Sequence, residues 1–198
     1  MRLASSVADQ YASYSDTRRL PSNAAADTGI LAGVRLPSTA MDDALRELVE
    51  ARAIEQLCIR YLDRIDANDP DGAAACFARD GVGVYWGDYQ GRDAIAERLA
   101  GILDAFNATS HHISNIAPVI DGDRATCQSY VYAFHRRAET NAPFHYWGRW
   151  VDELVKEDGA WCFARREVVG IGSYAPGDTQ KDRVHPGHPG RLDRARQA

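Results

Sequence analysis

The hydrophobic pattern of this 198-residue chain changes period near residue 110. Before that point, apolar residues recur at the three- and four-residue spacing of amphipathic helices. After it, they alternate with polar residues as in half-buried strands. Helices followed by antiparallel strands are typical of the α+β class. We therefore expect N-terminal helices packed on a curved mixed or antiparallel sheet, which together form a cone-shaped barrel with one open end.

Three helices are predicted in the first half. The first covers residues 41–69 and ends at Asp69-Pro70, because the residue before a proline disfavours helix. A short second helix is expected within 69–81 and a third within 91–107, separated by a brief glycine-flanked strand at 81–91. The predicted apolar stripe of the first helix consists of Leu45, Leu48 or Val49, Ile54, Leu57 or Cys58, Tyr61 or Leu62, and Ile65. That of the third helix consists of Ile95, Leu99, Ile102, Leu103 and Phe106.

Four strands are predicted in the second half, at residues 111–120, 125–138, 144–157 and 160–173, joined by hairpin turns. The third strand carries aromatic residues on both faces, so we expect helices to cover one face and a partner subunit the other. Its predicted faces are Phe144, Tyr146, Gly148 and Trp150 against His145, Trp147, Arg149 and Val151. Those of the last strand are Trp161, Phe163 and Arg165 against Cys162, Ala164, Arg166 and Val168.

Charge and composition exclude several classes of protein. A net charge of -5 argues against nucleic-acid or membrane-surface binding. The segment "GILAGVRL" is too short to span a bilayer, and the first 20 residues contain no apolar stretch typical of a secretory signal. The four cysteines have no metal-site spacing, so we expect them to be reduced and buried, as in a cytoplasmic protein.

The ends of the chain differ in composition from its centre. Residues 1–40 are rich in Ser, Ala, Asp and Thr, and residues 174–198 in Pro, Gly and charge. Both compositions are poor in material for a core. We therefore expect a flexible N-terminal arm over 1–40, one folded domain over 41–173, and a flexible C-terminal tail over 174–198.

Two histidines and an aspartate are candidates for chemistry. His111 and His112 are adjacent on a predicted strand, so they must face opposite sides of the sheet. Asp66 falls near the C-terminal end of the first helix, where the helix dipole disfavours a carboxylate. An inward histidine that contacts this aspartate would form a general base. The pattern also allows a structural histidine and a turn aspartate. Arg166, if buried, would need an anionic partner.

Four segments together resemble the SnoaL-like family of the nuclear-transport-factor-type cone fold, over about residues 43–172. They are "AIEQLCIRYLDRIDANDPDGAAACFARDG", "YQGRDAIAERL", "SHHISN" and "EDGAWCFARREV". Within that family the chain is similar to scytalone dehydratase, bile-acid dehydratase and hexachlorocyclohexane dehydrochlorinase.

The resemblance implies a site. It places the catalytic aspartate at Asp66 and the histidine at His111, which is followed four residues later by Asn115. It adds Tyr61 and Arg166 as further catalytic residues. The expected substrate-binding residues are Tyr85, His135, Tyr146, Trp150 and Val168.

The implied function is a lyase or isomerase without metal or organic cofactor. It would carry out a dehydratase-like elimination on a hydrophobic, cyclic, hydroxylated small molecule, in a homo-oligomer (trimer or dimer). Two alternatives remain open. One is a non-catalytic module of the same fold that binds a ligand or assembles with a partner. The other is a ketosteroid-type isomerase, in which a carboxylate is the base.

Overall fold

The computed structural model describes residues 38–176, so residues 1–37 of the predicted arm and 177–198 of the predicted tail lie outside it. The helices are α1 (Ser38–Asp66), α2 (Pro70–Ala74) and α3 (Arg92–Leu103). The strands are β1 (Phe77–Val84), β2 (Asp88–Gln90), β3 (Phe106–Asp121), β4 (Arg124–Arg137), β5 (Pro143–Glu157) and β6 (Ala160–Tyr174).

The strands form one six-stranded mixed sheet in the order β2-β1-β6-β5-β4-β3. Strands β3 to β6 make an antiparallel meander, and the parallel pairing of β1 with β6 adds β1 and β2 to the opposite edge. Buried residues of all three helices join those of the strands in a single core. The predicted α+β class, with helices packed on a mixed sheet, is confirmed.

The apolar stripe of α1 is buried only in its C-terminal half. Ile54 and Leu57 are almost completely buried, whereas Leu45, Leu48 and Val49 are 52%, 66% and 67% exposed. The helical position of these three is confirmed, but they lie outside the core, which within the described residues contains nothing before Ile54. Helical spacing shows which face of a helix is apolar, but it does not show how much of that face has a partner.

The boundary between α2 and β1 differs from the prediction. Asp69 caps α2 by accepting a hydrogen bond from the Gly72 amide, but the helix ends at Ala74. The chain then enters β1 at Phe77, which pairs with Phe163 of β6. Phe106, expected in the third helix, begins β3 instead. Pairing with distant strands overrides the local pattern in both places.

A β-bulge changes the faces of β6. Leu154 of β5 lies opposite Phe163, while the next residue, Glu153, lies opposite Arg165, so Ala164 is an extra residue. The bulge brings Phe163 and Arg166 to the same side, and both are fully buried. The simple alternation predicted opposite faces for these two residues and was wrong.

Cys58, Cys76 and Cys127 are free and buried, whereas Cys162 is free and only half-buried, contrary to the prediction for that residue. None of the helices between residues 38 and 176 is long and apolar enough to cross a membrane.

Candidate active site

A cavity of about 1030 Å³ opens between the helices and the inner face of the sheet. Its walls include Tyr61 and His111 together with all five residues predicted to bind substrate. Those five are Tyr85, His135, Tyr146, Trp150 and Val168. Asp66 and Arg166 do not line the cavity, although both were predicted to be catalytic.

Asp66 is the last residue of α1, and its carboxylate binds residues near the start of β3, including His111. The Oδ1 atom lies 2.6 Å from His111 Nδ1 and accepts a hydrogen bond from the Thr109 hydroxyl at 2.7 Å. The Oδ2 atom accepts the His111 backbone N–H at 2.8 Å. These three donors compensate for the unfavourable position of a carboxylate at a helix C-terminus.

This geometry determines the tautomer of His111. A carboxylate can only accept, so His111 Nδ1 carries the proton. Partial burial acts to raise the pKa of Asp66, but the hydrogen bonds from His111 and Thr109 outweigh it and lower that pKa to about 2. In neutral imidazole, the remaining nitrogen, Nε2, is an acceptor with no partner among residues 38–176. The His111 side chain is 10% exposed, and the ring forms part of the cavity wall.

Of the two adjacent histidines, His111 is the one that faces the cavity. His112 lies on the opposite face of the sheet, with its ring centre 5.8 Å from that of Tyr132. Asn115 has a φ angle of 52°, at the point where the pairing of β3 with β4 shifts register between Ser114 and Ala117. Asparagine tolerates this left-handed conformation better than most residues. The residue four positions after the histidine therefore has a backbone role in a bulge.

A pair of tyrosines lies in the cavity wall. The hydroxyl oxygens of Tyr61 and Tyr85 are 2.7 Å apart. Burial raises the pKa of Tyr61 to about 12, although the nearby Arg166 guanidinium and the bond to Tyr85 act in the opposite direction. Burial also raises the pKa of Tyr85 well above its usual value. Both phenols are therefore protonated at neutral pH, and at least one O–H proton is available beyond the bond between them.

At two glycines, the ring of a nearby cavity tyrosine occupies the space that a side chain would need. A Cβ atom at Gly83 would lie 2.5 Å from the ring of Tyr85, and one at Gly148 would lie 2.8 Å from the ring of Tyr146. Neither glycine has a positive φ angle. The reason for glycine at these positions is thus the space that the rings occupy.

Arg166 lies behind the cavity wall. Its guanidinium carbon is 4.3 Å from the ring centre of Tyr61, 4.4 Å from that of Trp150 and 4.1 Å from that of Phe163. Its Nε atom is 3.4 Å from Asp152 Oδ1, and both side chains are 0% exposed. The expected anionic partner of a buried Arg166 is therefore Asp152. Arg166 faces aromatic rings and Asp152, so the structure gives it no direct contact with the cavity.

His135 contributes a second, neutral imidazole to the cavity. Its ring meets His111 edge to face at 5.2 Å and lies 4.4 Å from the ring of Phe106. Burial, with a smaller contribution from His111, lowers the pKa of His135 to about 4. A neutral His135 adds no second charge beside the dyad.

Sequence reasoning missed several residues around the site. They are Trp86, Arg98, Phe106, Thr109, Arg137, Phe144 and Asp152. Phe106 and Phe144 belonged to predicted apolar faces but were not assigned to the site, and two of the charged residues also had a signal in the sequence. Arg98 is three residues after Ile95 and so borders the apolar stripe of α3, and Asp152 alternates in phase with Trp150 and Leu154. Thr109 had no signal, because the strand was predicted to begin at residue 111.

Comparisons with known proteins identify the family and the fold. A family model for a SnoaL-like domain matches residues 46–167. A provisionally assigned scytalone dehydratase from Novosphingobium aromaticivorans is 37% identical; the match covers 65% of this chain and 88% of that one, with a TM-score of 0.61. A Mycobacterium tuberculosis protein of unknown function is 27% identical over 64% of this chain and 75% of its own, with a TM-score of 0.58.

The fold also extends to more distant structures. A hexachlorocyclohexane dehydrochlorinase from Novosphingobium barchaimii is 16% identical, with a TM-score of 0.63 over 68% of this chain and 95% of its own. At that identity the likeness concerns the fold alone. The predicted cone-shaped α+β fold is confirmed.

Proposed function

The chain belongs to the SnoaL-like domain family, and from that premise we propose that it is a lyase or isomerase whose general base is His111. The observation that carries the proposal is the 2.6 Å contact between Asp66 and His111 Nδ1 beside a large, mostly apolar cavity. The 37% identical relative, which is itself provisionally a scytalone dehydratase, supports the same reaction class.

The proposed reaction is an elimination of water. His111 Nε2 takes a proton from a carbon next to an activating group, and the electrons of that C–H bond form the new double bond. The C–O bond breaks, and the leaving hydroxyl receives a proton from the Tyr61–Tyr85 pair or from the His111 imidazolium. In the first case, the imidazolium then loses its added proton and the tyrosinate regains one through solvent, which restores the starting state. General-base catalysis of this kind contributes roughly 10²–10⁴-fold. Each atom and proton is accounted for without a metal or an organic cofactor.

The walls of the cavity support an apolar, ring-containing substrate. Aromatic side chains from three strands and a helix line it, including Tyr61, Phe106, Phe144 and Trp150. Such surfaces bind flat or cyclic apolar compounds, and a few polar groups orient them. The two tyrosine hydroxyls are the polar groups suited to a substrate hydroxyl or carbonyl.

Arg166 is a positioning residue in this proposal. Because Arg166 does not line the cavity, it cannot contact the developing oxyanion directly. Its positive charge under the ring of Tyr61 favours hydrogen-bond donation by that phenol, in keeping with its opposing effect on the pKa of Tyr61.

A ketosteroid-type reaction needs a carboxylate base that reaches the substrate. Within residues 38–176, no Asp or Glu lies in the cavity wall, and the Asp66 oxygens already accept three hydrogen bonds. The geometry therefore favours a histidine base.

We also propose a homo-oligomer, a trimer or dimer, that assembles through an outer aromatic patch of His112, Tyr132, His145 and Trp147. These rings contact one another across β3, β4 and β5, and Trp147 is 40% exposed. A second copy of the chain is the partner that would cover the outer aromatic face of β5, opposite the face that lines the cavity.

The test is a screen of hydroxylated cyclic ketones, in which mass spectrometry detects loss of water. The wild type should dehydrate at least one compound, and Asp66→Asn should be slower by about 10²-fold or more, because an amide no longer fixes the Nδ1–H tautomer. ¹⁵N NMR of the ring should show Nδ1–H in the wild type and a loss of that preference in the variant. Tight binding without any turnover would instead support the non-catalytic module.

A further inference from the structure

The cavity carries positive charge although the chain as a whole has a net charge of -5. Arg98 and Arg137 are both part of its wall, and across the described part of the chain no carboxylate side chain joins them there. A cavity that binds only neutral compounds has no need for fixed cations. The cationic wall therefore points to a ligand with a negative charge.

Of the two cations, Arg98 is the one whose positive charge has less compensation from its surroundings. It lies on α3, half-buried, and its Nη2 atom donates to the Tyr85 carbonyl at 3.2 Å. Its Nε atom is buried and has no acceptor. The guanidinium carbon is 5.4 Å from the ring centre of Tyr89, and no carboxylate lies within ion-pair distance among residues 38–176. Arg98 is thus a cation in the cavity wall whose charge no carboxylate of the described residues balances, and such a guanidinium is suited to bind an anion.

Arg137 has a different environment. It is exposed, its guanidinium carbon is 5.0 Å from the ring centre of Phe144, and it shares a second, shallower depression with Asp104 and Glu139. Because Arg137 is exposed, solvent and salt screen its charge. Arg98 is therefore the better anchor for a ligand anion.

We propose that Arg98 binds the carboxylate of the substrate, which is thus a ring-containing carboxylic acid. This inference rests on the proposed function, which supplies the apolar ring of the substrate, and it adds a carboxylate to that ring. One guanidinium matches one negative charge, whereas a dianionic phosphate would leave excess charge beside apolar walls. Trp86, next to Tyr85 at the cavity wall, is 68% exposed and offers a ring face to the substrate near the same end.

Isothermal titration calorimetry with 2-naphthoate and the neutral 2-naphthamide tests this proposal. The wild type should bind the carboxylate about tenfold more tightly than the amide, and the preference should weaken as salt is added. Arg98→Gln should abolish the preference and leave amide binding unchanged, while Arg98→Lys should retain part of it. The control Arg124→Gln, at the exposed start of β4, should behave as the wild type.

The proposal is overturned if the amide binds as tightly as the carboxylate, if neither probe binds, or if Arg137→Gln rather than Arg98→Gln removes the preference. Tighter binding of 2-naphthyl phosphate than of 2-naphthoate would also contradict a carboxylate site. The same titrations in His111→Ala separate this inference from the proposed function. That variant should keep the preference for the carboxylate, because Arg98 and not His111 holds the anion. A wild type that shows this preference but dehydrates no compound in the screen would retain Arg98 as an anion site and reject the reaction.

Discussion

At the scale of single residues, Asp66 determines how His111 can react. Its three hydrogen bonds keep the pKa of Asp66 at about 2, although partial burial alone would raise it. Because that pKa is below its ordinary value of 3.8, the stabilisation from this carboxylate is present at neutral pH and is lost as the pH falls from about 4 toward 2. The dyad is therefore intact over the whole range in which an imidazole can act as a base.

His135 should make the protein sensitive to mild acid. Its pKa is about 4 in the folded chain and 6.5 when unperturbed, so the unfolded chain binds more protons between these values. His135 therefore does not reduce the free energy of unfolding above about pH 6.5, and it reduces it progressively as the pH falls toward 4. The Tm of the wild type should therefore fall by a few degrees over this window because of His135. His135→Phe keeps the ring contacts with Phe106 and Phe144 and should not show this part of the fall.

Thermal unfolding between pH 7 and pH 4 measures this difference. Asp152, whose pKa burial raises to about 6 against the influence of Arg166, has the opposite pH dependence. It is common to both proteins and cancels from their comparison. Parallel curves for the wild type and His135→Phe would contradict a neutral, buried His135.

The buried Arg166–Asp152 pair should be strongly coupled. Arg166→Met leaves Asp152 as a buried charge without a partner, which should lower the free energy of unfolding by about 3–5 kcal/mol. Arg166→Met combined with Asp152→Leu removes both charges and should recover most of that loss. Denaturant unfolding of both single variants and the double variant gives the coupling energy. Additive losses would show that the two side chains do not interact.

At the scale of helices and strands, periodicity was sufficient for the class and most of the elements. It located α1, α3 and the four-stranded meander, because these have long apolar repeats. It failed where pairing between distant strands decides the outcome, as at Phe77 and Phe106. The bulge at Ala164 was also invisible, so the burial of Arg166 beside Phe163 could not be deduced from alternation.

The candidate site was predictable to a different degree. The resemblance supplied Asp66 and His111, but the pattern of residues alone left both histidines open. Arg98 was overlooked because a charged residue at the edge of a helical stripe usually faces solvent. Only the assembled cavity shows that its guanidinium has no anionic partner among the described residues.

Gly83 in β1 should be essential for the tyrosine pair. In Gly83→Ala the new methyl group would overlap the Tyr85 ring, which must move away from Tyr61. We expect a loss of about 1–3 kcal/mol in stability and a clear drop in kcat. Gly172→Ala is the matched control, because a Cβ atom at that β6 position meets nothing within 4 Å. Equal activity of the two variants would argue against a role for the Tyr61–Tyr85 bond.

At the scale of the whole molecule, the sheet separates two surfaces with different tasks. The inner face and the helices enclose the cavity, and the outer face carries the outer aromatic patch of His112, Tyr132, His145 and Trp147. Exposed aromatic clusters of this kind mark interfaces between proteins. The proposed reaction and the proposed assembly therefore involve opposite sides of the same strands.

Assembly through the outer aromatic patch can be disrupted at one residue. Trp147→Glu places a charge at the centre of the patch, so the proposed trimer or dimer should become a monomer. Size-exclusion chromatography with light scattering measures the mass of each species. Thr140→Glu, in the exposed turn between β4 and β5, should leave the assembly unchanged. A monomeric wild type would reject the interface.

The most direct test of the account is the turnover of His111→Ala on the compound that the wild type dehydrates, with binding of that compound measured in parallel. We expect kcat to fall by roughly 10²–10⁴-fold while the Kd changes little, because the imidazole removes the proton but contributes a small part of the cavity wall. Full activity in His111→Ala would contradict the central claim that this histidine is the base.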